Sequence, residues 1–293
     1  MLNKLEQPLD WLILGDSSCN QGVVPEVLSE ELGGTALNLC IFGPLLVFND
    51  AWMLEQHIRQ VGPPKNVVII HVYDLWDREV SSETFAHLSR TPLSQKEIRA
   101  FTPPLSPDFG QKLQWFSYKH LHLYTSSKTL ADFLQKPAKT FKKGREFTVS
   151  PSGFMPKYSP NPESVVEDAV GHRGDIRGET PKISDINQRS LAAIRSLADR
   201  YEFEVYIVAS PLYDELYEDP KFRRYLRRTE QMLEQETRSS DRLHVLMDDP
   251  VTFGADEMEN ADHVIESAAK VYTGQIAAQI AAQAQRAYPA EPE

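Results

Sequence analysis

Two short polar segments of the 293-residue sequence hold side chains that could act together on a substrate. The first is residues 15–20, Gly-Asp-Ser-Ser-Cys-Asn, which directly follows an apolar run. The second is residues 259–263, Glu-Asn-Ala-Asp-His, which precedes the last amphipathic stretch. A serine hydroxyl with a histidine as general base is a common arrangement for attack on a carbonyl carbon. The pair Ser17 and His263 therefore becomes the first candidate for chemistry.

Each segment also has a purely structural interpretation. The Asp and Ser side chains of the first segment could accept hydrogen bonds from the first N–H groups of a following helix. His263 could be a helix-capping or solvent-exposed histidine. A phosphate-binding loop is excluded, because the sequence has neither a Gly-x-Gly-x-x-Gly pattern after a strand nor a Gly-Lys-Ser/Thr pattern. The chemical interpretation requires both segments to meet at one place in the fold.

The elements that must position these residues alternate between strand and helix patterns. Short apolar runs predict strands at residues 10–14, 36–39, 66–73, 203–209 and 243–247. Apolar residues at helical spacing predict helices at residues 24–32, 45–61, 183–201, 220–236 and 264–286. Such alternation predicts a single α/β domain over residues 1–293, three-layer and flavodoxin-like, with about five parallel strands. Because ligands bind at the carboxyl ends of parallel strands, both polar segments should lie at that edge.

The alternation is interrupted once, at residues 77–182, which we interpret as a cap or lid inserted over one end of the sheet. Residues 111–133 predict one or two helices with an aromatic face, whereas residues 136–181 show little periodicity. The basic stretch from Lys136 to Arg145 could attract an anionic glycan, or it could be a solvated loop face. No metal site is predicted, since His120 and His122 are two residues apart and would not share a helix face.

Composition narrows the function classes. With 41% hydrophobic and 25% charged residues, the chain has the composition of a soluble globular protein. A formal charge of −11 argues against general nucleic-acid binding. No apolar run approaches the roughly 20 residues of a membrane span, and no secretion signal is visible. Two compartments stay open: the cytoplasm, or an extracytoplasmic space reached through an anchor not contained in this sequence.

Cys19 and Cys40 are too few for a disulfide framework or a zinc set. We expect two small buried side chains, although both lie near predicted strand ends and a contact between them is conceivable.

Three short blocks are similar to those of the SGNH/GDSL hydrolase superfamily, in particular its branch associated with O-acetylation of exopolysaccharides and cell-envelope polymers. Residues 14–17 (Leu-Gly-Asp-Ser) resemble the Gly-Asp-Ser block, and residues 22–33 resemble the helix that follows it. Residues 38–43 (Asn-Leu-Cys-Ile-Phe-Gly) resemble an Asn-Leu-Gly-x-x-Gly segment. Residues 262–269, beginning Asp-His, resemble the terminal block. The likeness covers about the first quarter and the last third of the chain.

The resemblance implies a role for each matched residue. Ser17 is the expected nucleophile and His263 the expected general base, with Asp262 beside it. Backbone N–H groups of Ser17 and Gly43 are expected to stabilise the oxyanion. The implied activity is that of an O-acetyltransferase or esterase acting on a carbohydrate ester, with no cofactor. Tyr73 does not match the family pattern, but its hydroxyl could be a further oxyanion donor. Side chains expected to contact the substrate are Asp16 in the first block and Trp76 and Arg78 just past a strand end, although Trp76 could equally pack under a lid.

Three positions depart from the family pattern. Asn260 stands where the family often has an Asp three residues before the histidine. Residues 71–74 (His-Val-Tyr-Asp) correspond to a further family block, Gly-x-Asn-Asp, and Tyr73 stands where this block usually has the Asn that donates to the oxyanion. Cys40 replaces the first glycine of the Asn-Leu-Gly-x-x-Gly segment. These departures favour an alternative, a catalytically degenerate protein of this fold that serves as a polysaccharide-binding or assembly factor. The orientation of His263 relative to Ser17 and a carboxylate distinguishes the two.

Overall fold

A computed structural model describes residues 5–81, 84, 149–176 and 180–287. The helices predicted at residues 111–133, both histidines His120 and His122, and the basic stretch from Lys136 to Arg145 lie outside the described residues.

The centre of the protein is a five-stranded parallel sheet with strand order β2-β1-β3-β4-β6. Its strands are β1 (Trp11–Gly15), β2 (Ala36–Asn38), β3 (Asn66–His71), β4 (Glu204–Ala209) and β6 (Leu243–Leu246). Two small sheets accompany it, formed by the parallel pair β5 (Leu212–Tyr213) and β7 (Thr252–Phe253) and by the antiparallel pair β8 (Met258–Asn260) and β9 (His263–Val264). The prediction of an α/β fold with about five parallel strands is confirmed.

The three central strands are buried almost without exception. All five residues of β1 are buried, as are the last five residues of β3 and of β4. Their sequences are continuous apolar runs rich in β-branched residues, which is typical of strands that are covered on both faces. The register pairs Ile13 with Val68 and Val68 with Tyr206, so the carboxyl ends of β1 and β3 finish side by side.

The helices form two groups that cover the sheet. They are α1 (Ser17–Gly22), α2 (Pro25–Leu32), α3 (Leu46–Val61), α4 (Pro162–Asp175), α5 (Asp185–Tyr201), α6 (Asp214–Glu218), α7 (Pro220–Thr237) and α8 (Glu266–Ala287). Helix α3 packs on α5, whereas α1 and α2 pack on α8. Because crossovers between parallel strands are right-handed in nearly all proteins, this strand order assigns the two groups to opposite faces of the sheet, which is compatible with a three-layer α/β fold. No helix in the described part of the chain is long and apolar enough to cross a membrane.

Part of the predicted insertion is more regular than its sequence suggests. Helix α4 lies in a stretch where we expected little periodicity. Asn161 caps it by accepting a hydrogen bond from the Ser164 N–H, and Pro162 occupies its first turn. Only Val165 and Ala169 are buried, which gives a stripe too narrow to produce a clear helical pattern. The cap at Asn161 followed by Pro162 was the available signal for this helix.

The two cysteines are buried, as expected, but they are not separate thiols. Cys19 in α1 and Cys40 after β2 form a disulfide, with their Cα atoms 5.8 Å apart. The prediction of two free buried side chains is therefore wrong, and the contact considered as its alternative is present. The disulfide links the helix that begins at Ser17 to the segment that leads to Gly43.

Candidate active site

Ser17 lies at the carboxyl end of β1, where the chain turns into α1. The turn requires Gly15, whose φ is +148° and where a Cβ atom would lie 1.9 Å from the Ile70 carbonyl oxygen. Ser17 is the first residue of α1 and is half-buried. Its hydroxyl makes no hydrogen bond with any described residue, whereas the adjacent Ser18 hydroxyl donates to Asp16 Oδ1 at 2.6 Å. The turn thus leaves the hydroxyl of Ser17 available for a substrate.

Asp16 holds this turn in place by accepting two hydrogen bonds from backbone N–H groups. Its Oδ1 accepts from the Ser18 N–H at 2.9 Å, which caps α1, and its Oδ2 accepts from the Val72 N–H at 2.8 Å, which ties the turn to the end of β3. The residue is 2% exposed, so its carboxylate is engaged within the protein and does not face a pocket. Burial alone would raise the pKa of Asp16, but the hydrogen bond and charge of His71 outweigh burial and hold this pKa at about 2.

Behind Asp16 lies a buried charge cluster that the sequence did not reveal. His71 Nε2 is 2.5 Å from Asp50 Oδ2, and His71 Nδ1 is 3.5 Å from Asp16 Oδ2. Burial opposes a charge on His71, yet the two carboxylates raise its pKa to about 9. Burial raises the pKa of Asp50, so the proton between Asp50 and His71 belongs to the pair. The strand predicted at residues 66–73 includes His71, but no pattern in the sequence indicates Asp50 as its partner.

Gly43 begins a short turn directly beside the Ser17 turn. A Cβ atom at Gly43 would lie 3.8 Å from the Cβ of Asp16, and the Ile41 N–H donates to the Gly15 carbonyl at 3.0 Å. The Asn20 side chain donates to the Cys40 carbonyl at 2.8 Å, which adds to the disulfide in joining the two loops. The backbone N–H groups of Ser17 and Gly43 donate no hydrogen bond to other described residues. Both predicted oxyanion donors therefore have their N–H groups available.

His263 lies on β9, a strand that packs against α1. Its Nδ1 is 2.8 Å from Asn260 Oδ1 and also contacts Asp262 Oδ1. Burial would lower the pKa of His263, but the charge and hydrogen bond of Asp262 outweigh burial and raise this pKa. The structure thus places a carboxylate on Nδ1, although it comes from the adjacent residue and not from the position three residues earlier. Asn260, at that earlier position, contacts the same nitrogen.

The fold brings Ser17 and His263 to the same edge of the sheet without joining them directly. His263 Nε2 makes no hydrogen bond with a described residue, and the Ser17 hydroxyl and this nitrogen are not hydrogen-bonded to each other. Such contacts are often loose in a protein without substrate and tighten when the substrate binds. Nδ1 is therefore held by its two partners, while Nε2 is left as the nitrogen that can accept a proton.

Tyr73, the predicted side-chain donor to the oxyanion, is engaged elsewhere. Its hydroxyl lies 2.8 Å from Nδ1 of His172, a residue of α4 that the sequence analysis did not single out. Its ring packs edge-on against Phe222 and Tyr225, at centroid distances of 4.7 and 5.8 Å. Burial, followed by the charge of Asp74, raises the pKa of Tyr73. The hydroxyl is therefore a neutral group fixed against His172.

The other two residues expected to contact a substrate differ in their surroundings. Trp76 is 1% exposed and packs edge-on against the His71 ring, so it belongs to the core. Arg78 forms a two-pronged ion pair with Asp74, with N–O distances of 2.8 to 3.0 Å, and its guanidinium reaches over Gly43. Arg78 also lines a surface pocket of about 310 Å³ together with Tyr73, Asp77, Asp175, Ile176, Lys182, Tyr225 and Asp74. Of the three side chains expected to contact a substrate, Arg78 is thus the one that is both charged and accessible from a surface pocket.

The fold and this site together define an α/β protein whose five-stranded parallel sheet carries a serine and an oriented histidine at its carboxyl edge. No protein-family model matches the chain, and a comparison with curated proteins gives no match. The resemblance to the SGNH/GDSL superfamily therefore stays a prediction made from the short blocks.

Proposed function

We propose that this protein is a serine-dependent acyl-ester enzyme of the SGNH type, in which Ser17 is the nucleophile and His263 the general base. The observation that carries the proposal is the state of the His263 ring. Nδ1 is held by Asp262 and Asn260, whereas Nε2 is available on a strand that packs against the helix of Ser17. An oriented histidine beside an available serine at a strand end is the arrangement that activates a hydroxyl.

The reaction would proceed in two steps. The Ser17 hydroxyl oxygen attacks the ester carbonyl carbon while its proton passes to His263 Nε2. The tetrahedral intermediate then collapses, and the leaving alcohol takes the proton from His263, which leaves an acyl group on Ser17. Water or a sugar hydroxyl next attacks this acyl-serine while His263 Nε2 accepts its proton. The bond between the acyl carbon and the Ser17 oxygen then breaks, and His263 returns the proton to Ser17, which frees the acid or the new ester. Asp262 stabilises the positively charged imidazole during both steps.

Negative charge develops on the carbonyl oxygen in both steps, and the N–H groups of Ser17 and Gly43 are the donors for it. Losing one oxyanion donor typically costs about 100- to 1000-fold in rate. Because the Tyr73 hydroxyl is engaged with His172, we assign no oxyanion role to it. The guanidinium of Arg78 also reaches over Gly43, where the paired carboxylate of Asp74 offsets its charge.

The carbohydrate part of the proposal rests on the resemblance of the three sequence blocks. It favours a carbohydrate or polysaccharide ester as substrate and an O-acetyltransferase or esterase as activity. In the neighbouring pocket Arg78 is paired with Asp74 and Lys182 with Asp77, so the pocket offers no excess of positive charge to a substrate. The disulfide between Cys19 and Cys40 favours an oxidising compartment, where the polymers of the resembling branch are modified.

A second candidate function has a specific observation in its favour. Ser17 and His263 are not hydrogen-bonded to each other. The hydroxyl of Tyr73, the third predicted oxyanion donor, contacts His172 instead. A protein that kept the fold and lost the reaction, and that now binds or assembles polysaccharide, would tolerate both features. The alternative predicts no covalent chemistry at Ser17.

Covalent labelling distinguishes the two functions. The protein is incubated with an activated acetyl ester such as p-nitrophenyl acetate, quenched in acid, digested and analysed by mass spectrometry. We expect an acetyl group on the peptide that contains Ser17, mapped to Ser17 and not to the adjacent Ser18, and no label on this peptide in Ser17→Ala. Ser29 is a half-buried serine in α2, and Ser29→Ala is the matched control. In this variant Ser17 should be acetylated as in the wild-type protein. A peptide without label at every time point would favour the binding protein.

The two partners of His263 Nδ1 should contribute unequally to turnover. Replacing an orienting aspartate by asparagine in a serine triad costs about 10,000-fold when it inverts the histidine tautomer. In Asp262→Asn the carbonyl oxygen of Asn260 still accepts from Nδ1–H, so we expect a smaller loss of roughly 100-fold in kcat/KM. Because Asp262 raises the pKa of His263, the acidic limb of the pH–rate profile should also move to lower pH. An unchanged limb, or a larger loss in Asn260→Ala, would contradict this division of roles.

A further inference from the structure

Three side chains that could bind a metal ion lie close together beside the candidate active site. The proposed reaction does not use them as a group. Asp168 and His172 come from α4, and Asp262 comes from the turn between β8 and β9. One ligand atom of each lies within 4.8 Å of the ligand atoms of the other two. We propose that these three side chains form a binding site for a divalent metal ion of the zinc class. The proposal does not depend on any reaction at Ser17.

The spacing of the ligands fits such an ion. Asp168 and His172 are four residues apart on one helix, which places both side chains on the same face. His172 Nε2 and Asp168 Oδ2 are 3.3 Å apart. Two ligands of a tetrahedral zinc ion, each about 2.0 to 2.2 Å from the metal, are separated by about 3.4 Å. This pair therefore already has the separation that a shared zinc ion requires.

The surroundings of the two His172 ring nitrogens also fit a metal ligand. Its Nε2 is buried and makes no hydrogen bond in the described part of the chain, although it lies near the Asp168 carboxylate. Its other nitrogen, Nδ1, is 2.8 Å from the Tyr73 hydroxyl, which can accept the Nδ1 proton. A metal-binding histidine characteristically has its second nitrogen fixed in this way, so that the first presents its lone pair to the metal.

Both carboxylates are also held in place. Asp168 Oδ2 accepts from the Ala261 N–H at 3.1 Å, which ties α4 to the turn that carries Asp262. The Asn161 N–H donates to the Met258 carbonyl at 2.9 Å and anchors the start of the same helix on β8. Asp262 uses Oδ1 for His263, which leaves Oδ2 for a cation. The ligands are thus positioned by the fold before an ion arrives.

The ligand set indicates the kind of ion. One imidazole and two carboxylates carry a net negative charge that a divalent cation balances, and imidazole favours zinc over magnesium or calcium. Three protein ligands leave the fourth position of a tetrahedral ion open to water or another small ligand. A bound ion would join α4 to the turn that precedes β9, so we also expect it to stabilise the folded protein.

To test the site, zinc chloride is titrated into the untagged protein and binding is measured by isothermal titration calorimetry. Thermal unfolding is then measured with and without zinc. The intact disulfide keeps Cys19 and Cys40 from competing as ligands. We expect one ion per chain at the highest affinity, and a higher unfolding temperature with zinc. His172→Ala and Asp168→Asn should abolish this step, and Tyr73→Phe should weaken it roughly 10- to 100-fold, as loss of a partner of a ligand does.

His244→Ala is the matched control. His244 also pairs with a carboxylate, Glu204 at 2.9 Å, but on the sheet strands β6 and β4 and not at the proposed site. It should leave zinc affinity unchanged. No saturable binding to the wild-type protein would overturn the proposal. Binding that survives in both His172→Ala and Asp168→Asn would overturn it as well, since the ion would then be held by other groups.

Discussion

Ser17→Ala is expected to lower kcat/KM for p-nitrophenyl acetate by roughly 10,000-fold or more, because it removes the hydroxyl that we propose attacks the ester. The structure supplies the reason that no neighbouring group should replace it. Ser18, the adjacent hydroxyl, donates to Asp16 Oδ1 and is fully buried. Initial rates at substrate concentrations well below KM, measured for equal amounts of folded protein, give the comparison.

Two further variants make this result interpretable. His263→Ala should cause a loss of similar size, and the double variant with Ser17→Ala should be no worse than either single variant, because the two side chains act as one unit. Ser29→Ala should keep wild-type activity. Turnover that is unaffected by Ser17→Ala, or losses that multiply in the double variant, would show that the two residues do not share a mechanism. Near-ultraviolet circular dichroism verifies that each variant is folded.

The position of Ser17 could be predicted from sequence, but the groups that hold its turn could not. A continuous apolar run that ends in Gly-Asp-Ser predicts a serine at the carboxyl edge of a parallel sheet, and β1 with α1 has this form. Asp50, by contrast, lies within the regular helix α3, and nothing in its local spacing marks it as the partner of His71. Its role depends on how that helix packs on the sheet, which is tertiary information.

The same limit applies on the other side of the site. His172 meets Tyr73 across 99 residues of sequence. The helix that carries it has one narrow apolar stripe and lies in a stretch rich in proline and charge, so periodicity could not reveal it. Asp262, in contrast, was identified from its place next to His263, because adjacent residues in a tight turn stay close whatever the rest of the chain does.

Asp50→Ala is expected to cost about 3 to 5 kcal/mol in the free energy of unfolding, because it leaves the buried His71 ring without its closer carboxylate. Asp50 and His71 are 1% and 3% exposed, so water cannot replace the lost partner. The same change should loosen the Ser17 turn, since His71 also contacts Asp16. Chemical denaturation measures the stability. Lys270→Ala breaks the exposed ion pair with Glu266 and should change stability by less than about 1 kcal/mol.

The pH dependence of the free energy of unfolding tests the charges assigned to His71 and Asp16. The pKa of His71 is raised from 6.5 to about 9, so its stabilising contribution is complete below pH 6.5 and is lost as the pH rises through 9. The pKa of Asp16 is lowered from 3.8 to about 2, so its contribution is complete above pH 3.8 and is lost as the pH falls through 2. Wild-type stability should therefore decline between pH 6.5 and 9, and Asp50→Ala should show a smaller decline. Equal slopes, or a loss similar to that of Lys270→Ala, would contradict the assignment.

The packing of α1 and α2 on α8 has a consequence for how the protein acquires its site during synthesis. The Val24 N–H donates to the Thr273 hydroxyl across 249 residues, and α8 begins just after β9, the strand that carries His263. The turn around Ser17 is translated well before His263 and the helix α8, which lie more than 200 residues further along the chain. Contacts between such distant segments form late in folding, because a long loop must close first. We expect a ribosome-bound chain that ends before residue 258 to contain a folded central sheet region but no assembled site. Recovery of activity during refolding would then report the final docking of the last helix and not the formation of the sheet.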